Sequence, residues 1–343
     1  MGRSSVSRKA SRVVCFSHET ALQIWKVASV SSHEGKMRPA RVRCCPARPA
    51  TVEDVCSARA YLEDRFSDLS LALPVHVVSS SPSRNMRTNL FAAHTDASSL
   101  PRGALVSLGP NVHVASAPYV FVQMASRLPF VELLELGYEL CGTYRRGCGG
   151  GTVRYQVAPL TSTRQLAQFV QQNPGMKGVK RARRALRYLA DGSESPRETK
   201  CALLFGLPAA LGGYGLGIPK MGHQVECSDE ARAIAETRTL RCDLYWPAAR
   251  LDMEYQSREF HEGELHRIRD SRRVNALRTM GIDVTLVTES ELDGLFACDV
   301  IAQTARKKLG KKGRKHAFNV HERRLRLRRQ LGLPLESRRT FER

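Results

Sequence analysis

The chain has 343 residues, 54 Lys and Arg against 33 Asp and Glu, and a formal net charge of +21. With 42% hydrophobic and 25% charged residues it is long and apolar enough for two cored domains, which excludes a disordered chain. A charge surplus of this size favours a polyanionic partner, nucleic acid before an anionic membrane surface.

The N-terminus is basic (Arg3, Arg8, Lys9, Arg12), and only a short apolar run, residues 13–16, follows it. A signal peptide needs a longer apolar stretch, so residues 1–16 are expected to be a disordered basic arm. No segment approaches the roughly 20 apolar residues of a membrane-spanning helix, so no membrane partner is expected. The ten cysteines include no Cys-x-x-Cys pair and read as reduced thiols of a cytoplasmic protein. A helix is expected from Ser17, a plausible N-cap, through Trp25. Thr51 and Asp54 resemble a capping box, and the helix behind them carries Val55, Leu62, Phe66 and Leu69 on one face before Pro74 stops it. Strand patterns follow over 75–78, 105–108 and 112–115, then helices over 119–127 and 131–140, a glycine loop at 149–151, and a basic helix over 180–190 with Arg181, Arg183, Arg184 and Arg187.

In the C-terminal half, Ser195-Pro196-Arg197-Glu198 combines an N-cap serine, proline at the first helical position and glutamate at N3. The pattern predicts a helix to about Phe205, strands at 224–227, 240–246 and 251–256, a long helix over 262–280 with Gly281 as its cap, and a strand over 282–287. The glycines of 212–217 lack dinucleotide-binding spacing and read as a loop. Centring a hairpin on the turn at 247–250 places Asp243 directly opposite Glu254. Directly opposed side chains on one face hold their Cβ atoms about 5 Å apart, where two carboxylates repel. A shared cation such as Mg²⁺ resolves that repulsion. Period-2 alternation puts Gln256 on the same face as Glu254. Beyond this region, 306–329 holds twelve Lys and Arg against Glu322 alone and reads, with the rest of 306–343, as a solvated or nucleic-acid-contacting tail.

Asp243, ten intervening residues and Glu254-Tyr255-Gln256 resemble the D…(D/E)-x-K signature of PD-(D/E)XK nucleases. The wider run is similar to a bacterial group akin to very short patch repair endonucleases. It comprises Ser195-Pro196-Arg197-Glu198, Asp243-Leu244-Tyr245-Trp246-Pro247, His261, Asp270-Ser271-Arg272-Arg273 and the strand around Val284–Thr288. The resemblance covers roughly residues 193–292. It implies an α/β (α+β) fold with a restriction-endonuclease-like αβββαβ core over 176–305, and a magnesium-dependent (or manganese-dependent) endonuclease acting on DNA. In that reading Asp243, Glu254 and Glu198 hold the metal, Gln256 orients the attacking water, and His261, Arg272 and Arg273 contact phosphate. Gln256 stands where the signature has lysine, Ser257 where glycine is common and Leu286 where arginine is frequent. These departures keep open a second reading, a non-catalytic DNA-binding regulator with a degenerate nuclease fold. The upstream region, residues 17–175, is expected as a mixed α/β domain. Around 112–144 it loosely resembles the winged-helix-like region of abortive-infection antitoxins.

Overall fold

Val14, Cys15 and Phe16 are at most 1% exposed and form β1 (Val14–Phe16), an interior strand of a six-stranded sheet. The computed structural model describes residues 12–28, 38–39, 44–82, 88–148, 151–256, 264–311 and 319–335. After β1 come α1 (His18–Ala28), β2 (Arg38–Pro39), α2 (Val52–Arg65), β3 (Val75–Ser79), β4 (Phe91–Thr95), β5 (Leu105–Gly109), β6 (Val112–Ala115) and α3 (Ala117–Ala125). The chain continues with α4 (Phe130–Cys141), the short pair β7 (Tyr144–Arg145) and β8 (Arg154–Tyr155), α5 (Thr163–Gln172), α6 (Val179–Leu186) and α7 (Pro196–Gly206). It ends with β9 (Lys220–Glu226), α8 (Asp229–Ala235), β10 (Thr239–Trp246), β11 (Leu251–Gln256), α9 (Glu264–Thr279), β12 (Asp283–Thr288), α10 (Glu289–Asp293), α11 (Leu295–Lys308) and α12 (Val320–Gln330). Among the described residues no helix is long and apolar enough to cross a membrane. The ten cysteines are all free thiols.

The protein is mixed α/β and divides into two compact units. The first comprises 1–128, 146–152 and 164–183, the second 129–145, 153–163 and 184–343. The sheet of the first unit has the order β2-β5-β6-β1-β3-β4, with β1 parallel to β6 and antiparallel to β3. α1 packs on β3, β6 and α3, and the Trp25 indole donates to the Ala115 carbonyl at 2.7 Å. Thr51 and Asp54 form the capping box expected at the head of α2. Two expectations for this region fail. Residues 14–16 belong to a core strand, not to a disordered arm, because partners about 60 and 100 positions away (Val77; Val112–Val114) convert a short apolar run into an interior strand. A mixed six-stranded sheet is also not a winged helix.

The second unit contains a four-stranded sheet of order β12-β11-β10-β9, antiparallel except for the β11–β12 pair. α8 and α9 pack on each other, and Ala231, Ala276 and Leu277 bury against Leu240, Cys242, Tyr245 and Val284 of the sheet. α7 packs against β10 and β11. The apolar helix α4, which proximity in sequence assigns to the N-terminal domain, belongs here. It packs against α7, and Tyr144 just beyond it hydrogen-bonds Thr199 at 3.0 Å. The boundary therefore does not fall at 175.

Among the described residues, 306–311 and 319–329 of the basic C-terminal run are not a free tail. Arg328 is fully buried and donates to the carbonyls of Leu292, Asp293 and Pro334. Arg324 pairs with Asp299 at 2.6 Å and lies 3.8 Å over the Tyr214 ring. Arg306 donates to the Tyr214 carbonyl and Lys311 to that of Leu216. These cations hold down the glycine loop at 212–217. Gly212, at φ 91°, passes so close to α12 that a Cβ there would lie 2.3 Å from the Arg323 carbonyl oxygen. A guanidinium with five donors can satisfy several loop and helix-end carbonyls at once, a role that charge counting does not reveal.

Arg328→Met should therefore lower the stability of the second unit by about 3 kcal/mol, since it strands buried carbonyls that now accept charged hydrogen bonds. Arg326→Ala, whose side chain is 65% exposed, should change it by less than about 0.5 kcal/mol. Urea denaturation of both variants checks this, and equal midpoints would return 306–329 to the role of a solvated tail.

Candidate active site

The site begins with the β10–β11 hairpin. Pro247–Ala249 form a 3-10 turn, and Arg250 takes the left-handed conformation (φ 46°) while its guanidinium donates to the Met280 and Gly281 carbonyls. The ladder pairs Trp246 with Leu251, Tyr245 with Asp252 and Leu244 with Met253. One step further, this register sets Asp243 opposite Glu254, just past the last ladder pair. There the Asp243 carboxylate accepts the Tyr255 backbone N–H at 3.1 Å, so a side chain takes over where the backbone ladder stops. β11 continues alongside β12 as far as Gln256–Thr288.

Four carboxyl groups converge here. Asp252 is fully buried, Glu254 6% exposed and Glu198 8% exposed, and Asp243 keeps 17% of its side chain exposed. Glu198 sits at the third position of α7. One of its oxygens accepts the Ser195 hydroxyl and the other the Glu194 backbone N–H, both at 2.9 Å, and Ser195 Oγ accepts the Glu198 N–H at 3.1 Å. The capping arrangement expected at Ser195 is present, with Glu198 reaching one residue further back than the N-cap.

Burial raises the pKa of all four groups, because desolvation penalises the charged form. Mutual repulsion adds to it: Asp243 acts on Glu198, Glu254 on Asp243, and the Asp252 carboxyl on Glu254. Arg273 of α9 opposes this. Its Nη2 lies 2.6 Å from Glu254 Oε2 and 3.6 Å from Asp243 Oδ1, and it also donates to the Arg241 carbonyl. Sharing one nitrogen keeps the two carboxylates beside each other on one face of the hairpin. Burial pulls the Arg273 guanidinium down, and Glu254 and Asp243 more than offset it. Arg241, whose pKa burial lowers, pairs with Glu194 at the rim. The Asp252 oxygens find no hydrogen-bond partner among the described residues. The Glu254 carboxyl and the Cys242 thiol adjoin Asp252 without closing a bond of good geometry.

An all-oxygen donor set with an orphaned buried carboxylate fits a hard divalent cation. Among the described residues, no group of three or more His, Cys, Asp or Glu side chains is arranged to hold a metal ion as it stands. The position between Asp243 and Glu254 is taken by Arg273.

The other expected site residues fall as follows. Gln256 ends β11, half-buried, on the face shared with Glu254 and Asp252. Arg272 is turned from Arg273 by the helical step of about 100° and pairs with Glu236 at 2.9 Å, on the surface and away from the carboxylates. Arg273 sits on carboxylates rather than on an open phosphate position. His261 lies outside the described residues, as does Ser257. Sequence reasoning missed Asp252, although it is two residues before Glu254 and so shares its face. It also missed Arg241, which shares the face of Asp243 by the same alternation, and Glu194, for which no local signal exists.

No family model, characterised protein or solved structure matches the chain. The functional reading rests on this geometry and on the motif spacing.

Asp252 generates a pH-dependent prediction. Its pKa is raised in the folded state. Below the unfolded value near ~4 it is protonated in both states and its burial carries no charge penalty. Stability is lost as pH rises from there through the folded pKa. In EDTA, Asp252→Asn should gain little at pH 4 and progressively more toward pH 8, by about 1–3 kcal/mol. Urea midpoints across that range measure it; a pH-independent difference would show that Asp252 carries no buried charge.

Proposed function

We propose that the second unit is a nuclease domain of PD-(D/E)XK type that hydrolyses phosphodiester bonds of nucleic acid, most directly DNA, with a divalent cation. What carries the reading is the placement of Asp243 opposite Glu254 at the mouth of a hairpin, with Glu198 and the orphaned Asp252 beside them. The element order α7-β9-β10-β11-α9-β12, interrupted by the small helix α8, supports a restriction-endonuclease-like core. The net charge of +21 suits a polyanionic substrate.

Asp243 and Glu254, with Glu198 behind them, are the residues that would hold Mg²⁺ or Mn²⁺. A bound cation supplies charge neutralisation at the phosphate and acidifies a water. The chain's own residues prepare for this. Ser195 and the Glu194 amide fix the Glu198 carboxylate. Tyr255 N–H fixes that of Asp243. Arg273 pulls the Glu254 and Asp243 carboxyls back toward ionisation against burial, which still holds them up at about 9 and about 7. Gln256 can orient a water by hydrogen bonds and adds no positive charge, unlike the lysine of the signature.

Arg273 also favours a second reading. A guanidinium 2.6 Å from Glu254 occupies the place a cation would take between the carboxylates, as expected of a nuclease fold retained as a DNA-binding scaffold without catalysis.

Incubation of plasmid and single-stranded DNA with the full chain in Mg²⁺ or Mn²⁺ tests the two. Metal-dependent cleavage should appear in the wild type and fall more than about 100-fold in Glu254→Ala, since loss of outer-shell partners alone costs 10–100-fold at metal sites. Absence of cleavage with metal-independent binding unchanged in Asp243→Ala selects the regulator.

A further inference from the structure

The first unit contains a cleft of about 340 Å³ that is independent of the carboxylate site. Its polar lining includes His18 at the head of α1, His94 and Asp96 at the end of β4, Gln123 of α3, and Arg127 and Lys177. Three imidazoles meet there. His18 stacks on His94 with ring centroids 3.8 Å apart, and His94 Nε2 lies 2.8 Å from His76 Nδ1. His76 in turn faces the Glu19 carboxylate at 3.5 Å. His18 reaches this position with its backbone in the left-handed region (φ 49°), which a residue with a Cβ enters only when its surroundings hold it there. Gln123 does so by accepting the His18 N–H at 3.1 Å, and Ser17 Oγ engages the ring at Nδ1 at 3.0 Å.

Two cations of the lining, Arg127 and Lys177, act on His18. Burial first, then His94 and His76, then the Arg127 and Lys177 cations hold the His18 imidazole neutral, down to about 2. Arg127 is anchored through Nε on Glu19 at 2.8 Å. The positive end of the eleven-residue helix α1 acts in the same sense. The one carboxylate in the lining, Asp96, is already engaged by the Tyr119 hydroxyl at 2.6 Å and the Ser98 N–H at 2.9 Å. In the tautomer in which the Ser17 hydroxyl donates to Nδ1, the neutral His18 carries its proton on Nε2 and can donate from there.

We propose that this cleft binds the phosphate group of a small phosphate monoester, with Arg127 and Lys177 as charge partners and His18 as a hydrogen-bond donor. The volume is near the lower end of ligand pockets, about 300–1,000 Å³, which suits a mononucleotide-sized molecule. Val78 and Met176 supply an apolar wall for its uncharged part. The inference does not depend on the nuclease reading.

Calorimetric titration of the full chain in EDTA with adenosine 5′-monophosphate, adenosine and a 5′-phosphorylated tetranucleotide tests it. The monophosphate should bind saturably and adenosine at least about tenfold more weakly, the worth of one charge-assisted hydrogen bond. Lys177→Met should lose about tenfold in affinity for the monophosphate with an unchanged thermal midpoint, and Glu254→Ala should bind it as the wild type does. Equal binding of nucleoside and nucleotide, no binding of either at millimolar concentration, or loss of binding in Glu254→Ala with retention in Lys177→Met would each overturn the proposal. Tighter binding of the tetranucleotide would replace a small ester by a strand end.

Discussion

Four carboxyl groups, Glu198, Asp243, Asp252 and Glu254, crowd one buried region of the second unit, and the guanidinium of Arg273 faces two of them. Like charges this close and this dry are not stable as a set, so each is pushed toward its neutral form, and Arg273, the Ser195 hydroxyl on Glu198 and the Tyr255 N–H on Asp243 work against it. The surrounding elements can be understood through that constraint. α9 must run where position 273 reaches β10 and β11, which is also where Ala276 and Leu277 bury against the sheet. α7 must begin at Ser195 so that Glu198 is held by its own N-terminal donors. A region under this electrostatic load gains from any added cation, which connects the stability of the unit to its proposed chemistry.

The basic residues divide into two populations. Arg145 and Arg328 are fully buried and spend their donors on backbone carbonyls, Arg145 on those of Glu139, Gly142, Tyr144 and Ala158. Arg324, Arg306 and Lys311 hold the glycine loop, and Lys308 pairs with Asp283. These cations are structural. The exposed ones, such as Lys180 and Arg183 on α6 or Arg269 and Arg278 on α9, are those a polyanion could meet. The surplus of +21 therefore overstates the charge offered to a partner, because part of it is consumed inside the fold.

Both units place polar groups where packing alone would not. In the first, a histidine in the left-handed region and a second stacked on it line a cleft, with His76 bonded behind. In the second, an aspartate with no partner among the described residues lies beneath a hairpin mouth. Departures of this kind, backbone strain and unsatisfied buried charge, concentrate where a fold serves something besides its own stability.

Local chemistry made much of the second unit legible. The Ser195 cap, the αL glycine at 281, the strands at β10 and β11 and the turn at 247–250 are dictated by neighbours in sequence, and turn geometry sets register, so Asp243 could be placed opposite Glu254 from residue numbers alone. Non-local partners decided the rest. Val14–Phe16 is too short to be a strand until β6 and β3 flank it. Helix α8 (Asp229–Ala235) has only seven residues, too few for periodicity to announce it. α4 joins the second unit because α7 covers its apolar face, and the basic run after 306 folds because carbonyls far away in sequence need its donors. By itself, then, the sequence determined the hairpin, its opposed carboxylates and the caps that frame them, since turns and caps are short-range. The tertiary structure alone decided which cation stands between those carboxylates, that Asp252 is buried beside them, and which arginines face solvent, since burial is a property of the whole packed chain.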